Sequence, residues 1–165
     1  MKMLWPFMLV VVGVSLGSEL ACIAPFVAVA ALAARTLSLR VALAVVAAMW
    51  FGNQAIGFGF LHYPHDAMTF AWGGVLLVTA TLAMLAARRI ANVALAFAAA
   101  FVTYEVVQFA FALPTGSGAA YAPAIDAQVL GANVLGLAIL GAVRLVLLAL
   151  ERGAFVPGYR RDAQR

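Results

Sequence analysis

The sequence predicts an all-α membrane protein: a polytopic bundle of six transmembrane helices with both termini on the cytoplasmic side. Three observations carry that expectation. Of 165 residues, 67% are hydrophobic and only 10% are charged, too little polar surface for a water-soluble domain of this size. The apolar residues fall in long runs, several of them near the roughly 20 residues a helix needs to cross about 30 Å of hydrocarbon. The basic residues gather at one side once those runs are threaded through a bilayer in alternation. A transmembrane barrel would alternate apolar and polar residues, and these runs do not.

Six runs are read in order, at about 4–17, 19–34, 39–61, 67–87, 90–112 and 124–150, in a single domain 1–165. Gly17-Ser18-Glu19 separates the first two, since Gly permits a turn and Ser-Glu suits a helix start. Fused, they would make a helix of roughly 46 Å at about 1.5 Å per residue, too long for one ordinary span. A five-span arrangement stays open. Lys2 followed by apolar and then small residues also resembles a signal peptide. Glu19-Leu20-Ala21-Cys22 is similar to a lipoprotein box, but the glutamate and the apolar run past the cysteine argue against cleavage. The third run starts after Ser38 and the fourth after the segment His62-Tyr63-Pro64-His65-Asp66. The fifth starts at Ile90, and the sixth follows the turn-rich Pro114–Pro123 connection. The tail 152–165 is polar. The single cysteine excludes an internal disulfide.

Threaded this way, Lys2, Arg35, Arg40, Arg88, Arg89, Arg152, Arg160, Arg161 and Arg165 fall on one side. Arg144 lies close enough to that side to snorkel. The opposite side carries neither Lys nor Arg. The basic side is therefore expected to be the cytoplasm, and the location a bacterial inner membrane. The net charge of +4 then reflects topology and contact with anionic lipid, and nucleic acid is not an expected partner.

The polar residues inside the runs are not scattered. Trp50, Asn53 and Gln54 on the third run, Trp72 on the fourth, Tyr104, Glu105 and Gln108 on the fifth, and Asn133 on the sixth mostly fall in the outer half. Glu105 with Gln108, and Tyr104 with Gln108, have the spacing of one helix face. A polar group in lipid costs several kcal/mol without a partner, and a carboxylate more. These eight residues are expected to face one another around an outward-opening substrate pocket. His62, Tyr63, His65 and Tyr121 would form its lid. Single aromatics also collect at interfaces, and amide pairs also glue helices.

His62, His65 and Asp66 are donors that a transition metal accepts, so a metal or redox site is a second reading. Pro64 places them in a loop, without helical metal-ligand spacing, and Asp66 equally suits a helix cap. Cys22 reads as a small buried hydrophobe. The sequence holds no phosphate-binding loop and no soluble nucleotide domain. No cofactor is expected, and a binding or transport role is favoured over an enzyme. A third reading is an accessory subunit whose polar groups hold a larger assembly together.

Six short spans, both ends inside, no ATPase and an outward pocket with a lid: the whole chain resembles a substrate-binding S component of an energy-coupling factor vitamin importer. The resemblance is architectural. It implies a vitamin or precursor as substrate and a transmembrane coupling subunit with ATPases as partner. It also implies an alanine-xxx-alanine docking face, whose nearest counterpart is Ala30-Ala31-Leu32-Ala33-Ala34 on the second run. Solitary cobalamin-importing members use a cysteine near the pocket, a role that would fall to Cys22. With carboxylate, amides and indoles but no outer cation, the pocket suits a small neutral or cationic substrate.

Overall fold

The computed structural model describes residues 4–19 and 24–152. Lys2, Cys22 and the tail arginines Arg160, Arg161 and Arg165 lie outside them. The described residues form six α-helices: α1 (Leu4–Glu19), α2 (Phe26–Thr36), α3 (Leu39–Gly59), α4 (Ala67–Arg88), α5 (Val93–Ala112) and α6 (Pro123–Glu151), with a 3-10 turn (Gly118–Tyr121) before α6. Helices α3 to α6 are long and apolar enough to cross a bilayer, whereas α1 and α2 are shorter. This is an all-helical integral membrane protein. Large apolar side chains such as Phe51, Val102, Val106 and Leu145 stand exposed on its flanks, as lipid contact requires.

The second expected run is where the fold departs from the sequence reading. Instead of a span over 19–34, α2 has 11 residues, about 17 Å of helix at roughly 1.5 Å each. Every residue from Phe26 to Ala34 is buried. Its sequence offers no polar face before Arg35, and a helix that is apolar all round belongs inside a bundle. There α2 packs against each of the other five helices, and its alanines let the neighbours approach closely.

Both ends of α2 are tied to its neighbours. Asn133 sits ten residues into α6, and its Oδ1 accepts the Val27 and Ala28 backbone N–H groups at 2.9 and 3.2 Å. The Asn133 Nδ2 donates to the Val129 carbonyl. So α2 starts roughly 15 Å below the first residue of α6. Gly136 makes room for that start, because a Cβ there would meet the Pro25 ring at 2.6 Å. At the other end, Arg88 donates to the Ala34 and Leu37 carbonyls, which the helix itself leaves unsatisfied.

Arg35, Arg40, Arg88, Arg89, Arg144 and Arg152 therefore stand at one end of the bundle, the basic end. The opposite end has no Lys or Arg among the described residues. Since α2 occupies the axis only toward the basic end, the other half of the axis is left to side chains from the surrounding helices.

Candidate functional site

A cavity of about 390 Å³ lies on the axis above the first turn of α2. Ala24 and Phe26 form its floor. Asn53 and Gln54 come from α3, Thr69, Trp72, Gly73 and Leu76 from α4, Tyr104, Glu105 and Gln108 from α5, and Ile125, Asp126 and Val129 from α6. Tyr63 and Tyr121 reach it from the connections. A polar lining inside an apolar bundle is sustained because the side chains face one another and not lipid.

Each wall is held from behind. The Trp50 indole N–H donates to the Gly73 carbonyl at 2.7 Å, fastening α3 to α4. One turn further on, Gln54 lies against Gly73, where a Cβ would meet its Oε1 at 2.9 Å. Trp72 packs edge-to-face on Phe111 at 4.9 Å between ring centres, joining α4 to α5. Tyr121 meets Phe109 in the same manner at 5.5 Å. The Tyr63 ring lies on Gly57, which has no Cβ to block it, and the Tyr63 backbone N–H donates to the Gly57 carbonyl.

Glu105 is the outstanding group. Its Oε1 is buried without a hydrogen-bond partner. Buried polar atoms are nearly always paired, so an orphan calls for an explanation such as an absent ligand. Asp126 is the other acidic residue of the lining, and among the described residues the cavity has no Lys, Arg or His. The Tyr121 hydroxyl, in the connection outside the long helices, is pushed up to about 12, first by burial and then by the negative charges of Glu105 and Asp126. It stays a hydrogen-bond donor at neutral pH.

Of the eight residues expected to bind substrate, the structure gathers six at the cavity: Asn53, Gln54, Trp72, Tyr104, Glu105 and Gln108. Trp50 and Asn133 do not line it. Trp50 is turned into the α3–α4 junction, and Asn133, with no exposed surface, caps α2. Of the four expected lid residues, Tyr63 and Tyr121 reach the cavity, whereas His62 and His65 do not. Thr69 and Asp126 line the cavity as well, each within about one turn of a helix start, at the outer level where the sequence places them.

The loop histidines have other roles. His62 takes a left-handed φ of 54° just beyond α3 and is exposed. The His65 ring packs 5.3 Å from Phe58, which also stacks on Phe70 at 5.0 Å. Asp66 caps α4, accepting the Thr69 N–H at 2.8 Å, and that bond holds its carboxyl below its ordinary value. Among the described residues no three His, Cys, Asp or Glu side chains are grouped to hold a metal ion. The docking face implied by the resemblance is also absent from the surface. The run Ala30–Ala34 is buried around α2, and two further alanine pairs at the same four-residue spacing, Ala83/Ala87 on α4 and Ala96/Ala100 on α5, are likewise buried. These small residues pack the bundle's own helices. No family model, curated protein or solved structure matches the chain.

Proposed function

We propose that the chain is a membrane-embedded binding subunit for uptake of a small neutral or cationic molecule, a vitamin or precursor, similar in kind to the S components of energy-coupling factor importers. In this reading all six helices form the membrane bundle and the basic end faces the cytoplasm. The location is a bacterial inner membrane, and the cavity opens outward. One observation carries it: a buried carboxylate oxygen without a partner, Glu105 Oε1, at a ligand-sized cavity whose lining offers acceptors and aromatic faces but no cationic side chain. A ligand N–H or ammonium group would satisfy that oxygen, while Trp72, Tyr104 and Tyr121 cover its apolar part.

The sequence holds no phosphate-binding loop, so in this reading uptake draws its energy from a partner. That partner would dock on the lipid-exposed flanks, because the alanine pairs are turned inward. The reading is tested by a thermal-shift screen of the purified protein against organic cations and neutral heterocycles, repeated on Glu105→Gln. A compound that stabilises the wild type and not the variant supports it. Equal shifts in both proteins, or no active compound, count against it. Loss of Glu105→Gln from a larger membrane complex, with no effect on any ligand, would favour the accessory-subunit reading instead.

A further inference from the structure

At the basic end, remote from the cavity, a second recess of about 290 Å³ lies between α1, the α2–α3 connection and α6. Leu4, Trp5, Thr36, Arg144, Leu147 and Glu151 are among its walls. The Arg144 guanidinium carbon lies 5.0 Å from the centre of the Trp5 ring. Trp5 is itself fixed, buried to 7% exposure, with its indole N–H donating to Thr36 Oγ1 at 2.8 Å. The Thr36 hydroxyl donates onward to the Leu32 carbonyl.

A guanidinium resting on an aromatic ring uses its face and keeps five N–H donors at its rim. Among the described residues no acceptor and no carboxylate takes them. Glu151 lies seven residues further on α6, about 10 Å along the same face, and it also has no ion pair among the described residues. Arg144 stands roughly 32 Å along α6 from its first residue, about one hydrocarbon thickness, so a bilayer whose outer hydrocarbon edge meets that residue would bring its inner headgroup region to Arg144.

We propose that this recess binds a zwitterionic phospholipid headgroup, with the phosphate on Arg144, the ammonium on Glu151, and Leu4 and Leu147 against the first methylenes. Both charges, unpaired among the described residues, are then satisfied by one molecule, and the phosphate receives the forked donor geometry that suits it. Free phosphate is disfavoured, since it carries no ammonium for Glu151 and nothing apolar for the leucines.

The test is native mass spectrometry of the full chain after exchange into equal amounts of phosphatidylethanolamine and phosphatidylglycerol with identical acyl chains. The wild type is expected to retain one phosphatidylethanolamine in preference. Glu151→Gln should hold the two lipids equally, and Arg144→Gln should lose both by about tenfold or more, the loss of one charge-assisted contact. If Arg144→Gln fails to fold, the Glu151→Gln comparison decides alone. Wild-type retention in a folded Arg144→Gln, no preference in the wild type, an unchanged preference in Glu151→Gln, or release of the lipid by millimolar inorganic phosphate would overturn the proposal.

Discussion

Toward the basic end, α2 fills the axis of the bundle with alanine and valine, and nine consecutive residues are buried. Toward the other end, the same surrounding helices enclose a cavity of about 390 Å³ lined with amides, carboxylates and phenols. The difference begins with the short α2. A full-length central helix would have filled the upper half with apolar side chains, whereas its start at mid-depth leaves wall positions facing a space. Polar residues on those walls are tolerable only because they face inward, and useful only if something enters. The packed half is the scaffold, and in the proposed reading the open half takes the ligand.

If that contrast is right, added volume should act in opposite ways in the two halves. Ala31→Leu, at a position with no exposure, should cost about 1–3 kcal/mol by overpacking, read as a lower unfolding temperature in detergent. Val129→Phe, which adds volume at the cavity wall, should leave the unfolding temperature nearly unchanged and block ligand. Equal destabilisation by both would break the comparison.

The junction between the halves is the next point to probe. Asn133→Leu removes the acceptor for two buried N–H groups of α2 and should cost about 1–3 kcal/mol. It should also loosen the cavity floor, so hydrogen exchange at Val27 and Ala28 is expected to rise. Exchange that stays at the wild-type rate would mean that α2 needs no cap.

Smaller effects belong to the rim. Tyr63→Ala opens one side of the cavity and removes its ring contacts with Gly57 and Phe58; it should raise ligand dissociation by less than tenfold, under about 1.4 kcal/mol, and lower the unfolding temperature less than Ala31→Leu does. The weakest effect is the Asp66 cap. Its carboxyl is held below its ordinary value of 3.8. Its stabilising contribution is therefore full above that value and is lost as pH falls through the lowered one. Asp66→Ala should remove this acid-range dependence, which a melting series at falling pH would show.

How much of this was legible in the sequence depends on the coordinate in question. Depth was legible, because a helix rises by a fixed step per residue. Asn53, Gln54, Glu105 and Gln108 were placed at one level by counting, and the four long helices match their apolar runs to within a few residues. Direction around the helix was legible only where polar residues share a face, as Tyr104, Glu105 and Gln108 do on α5. Trp50 and Gln54 are one turn apart on α3, yet one fastens α4 while the other lines the cavity. Elsewhere the faces of these helices are mostly apolar, so a lone aromatic such as Trp50 carries no mark of its direction, and tertiary packing decides. The same blindness hid the shortness of α2: hydropathy measures how apolar a segment is, not whether it continues as helix. Asn133 was read as a site residue for that reason. A half-length central helix needs an interior cap, and nothing in the sequence shows that it is half-length. Asp66 was the easier case, since capping leaves a local signature.

The measurement that tests the central claim most directly is native mass spectrometry of the wild type and Glu105→Gln, prepared in parallel from the same membranes. The account predicts a small organic molecule bound to the wild type and lost from a variant that remains folded, with both proteins melting at the same temperature once the ligand is removed. The same small organic mass in both proteins, apart from any phospholipid that both retain, or no such molecule in either, would contradict the assignment of the open half as a ligand site.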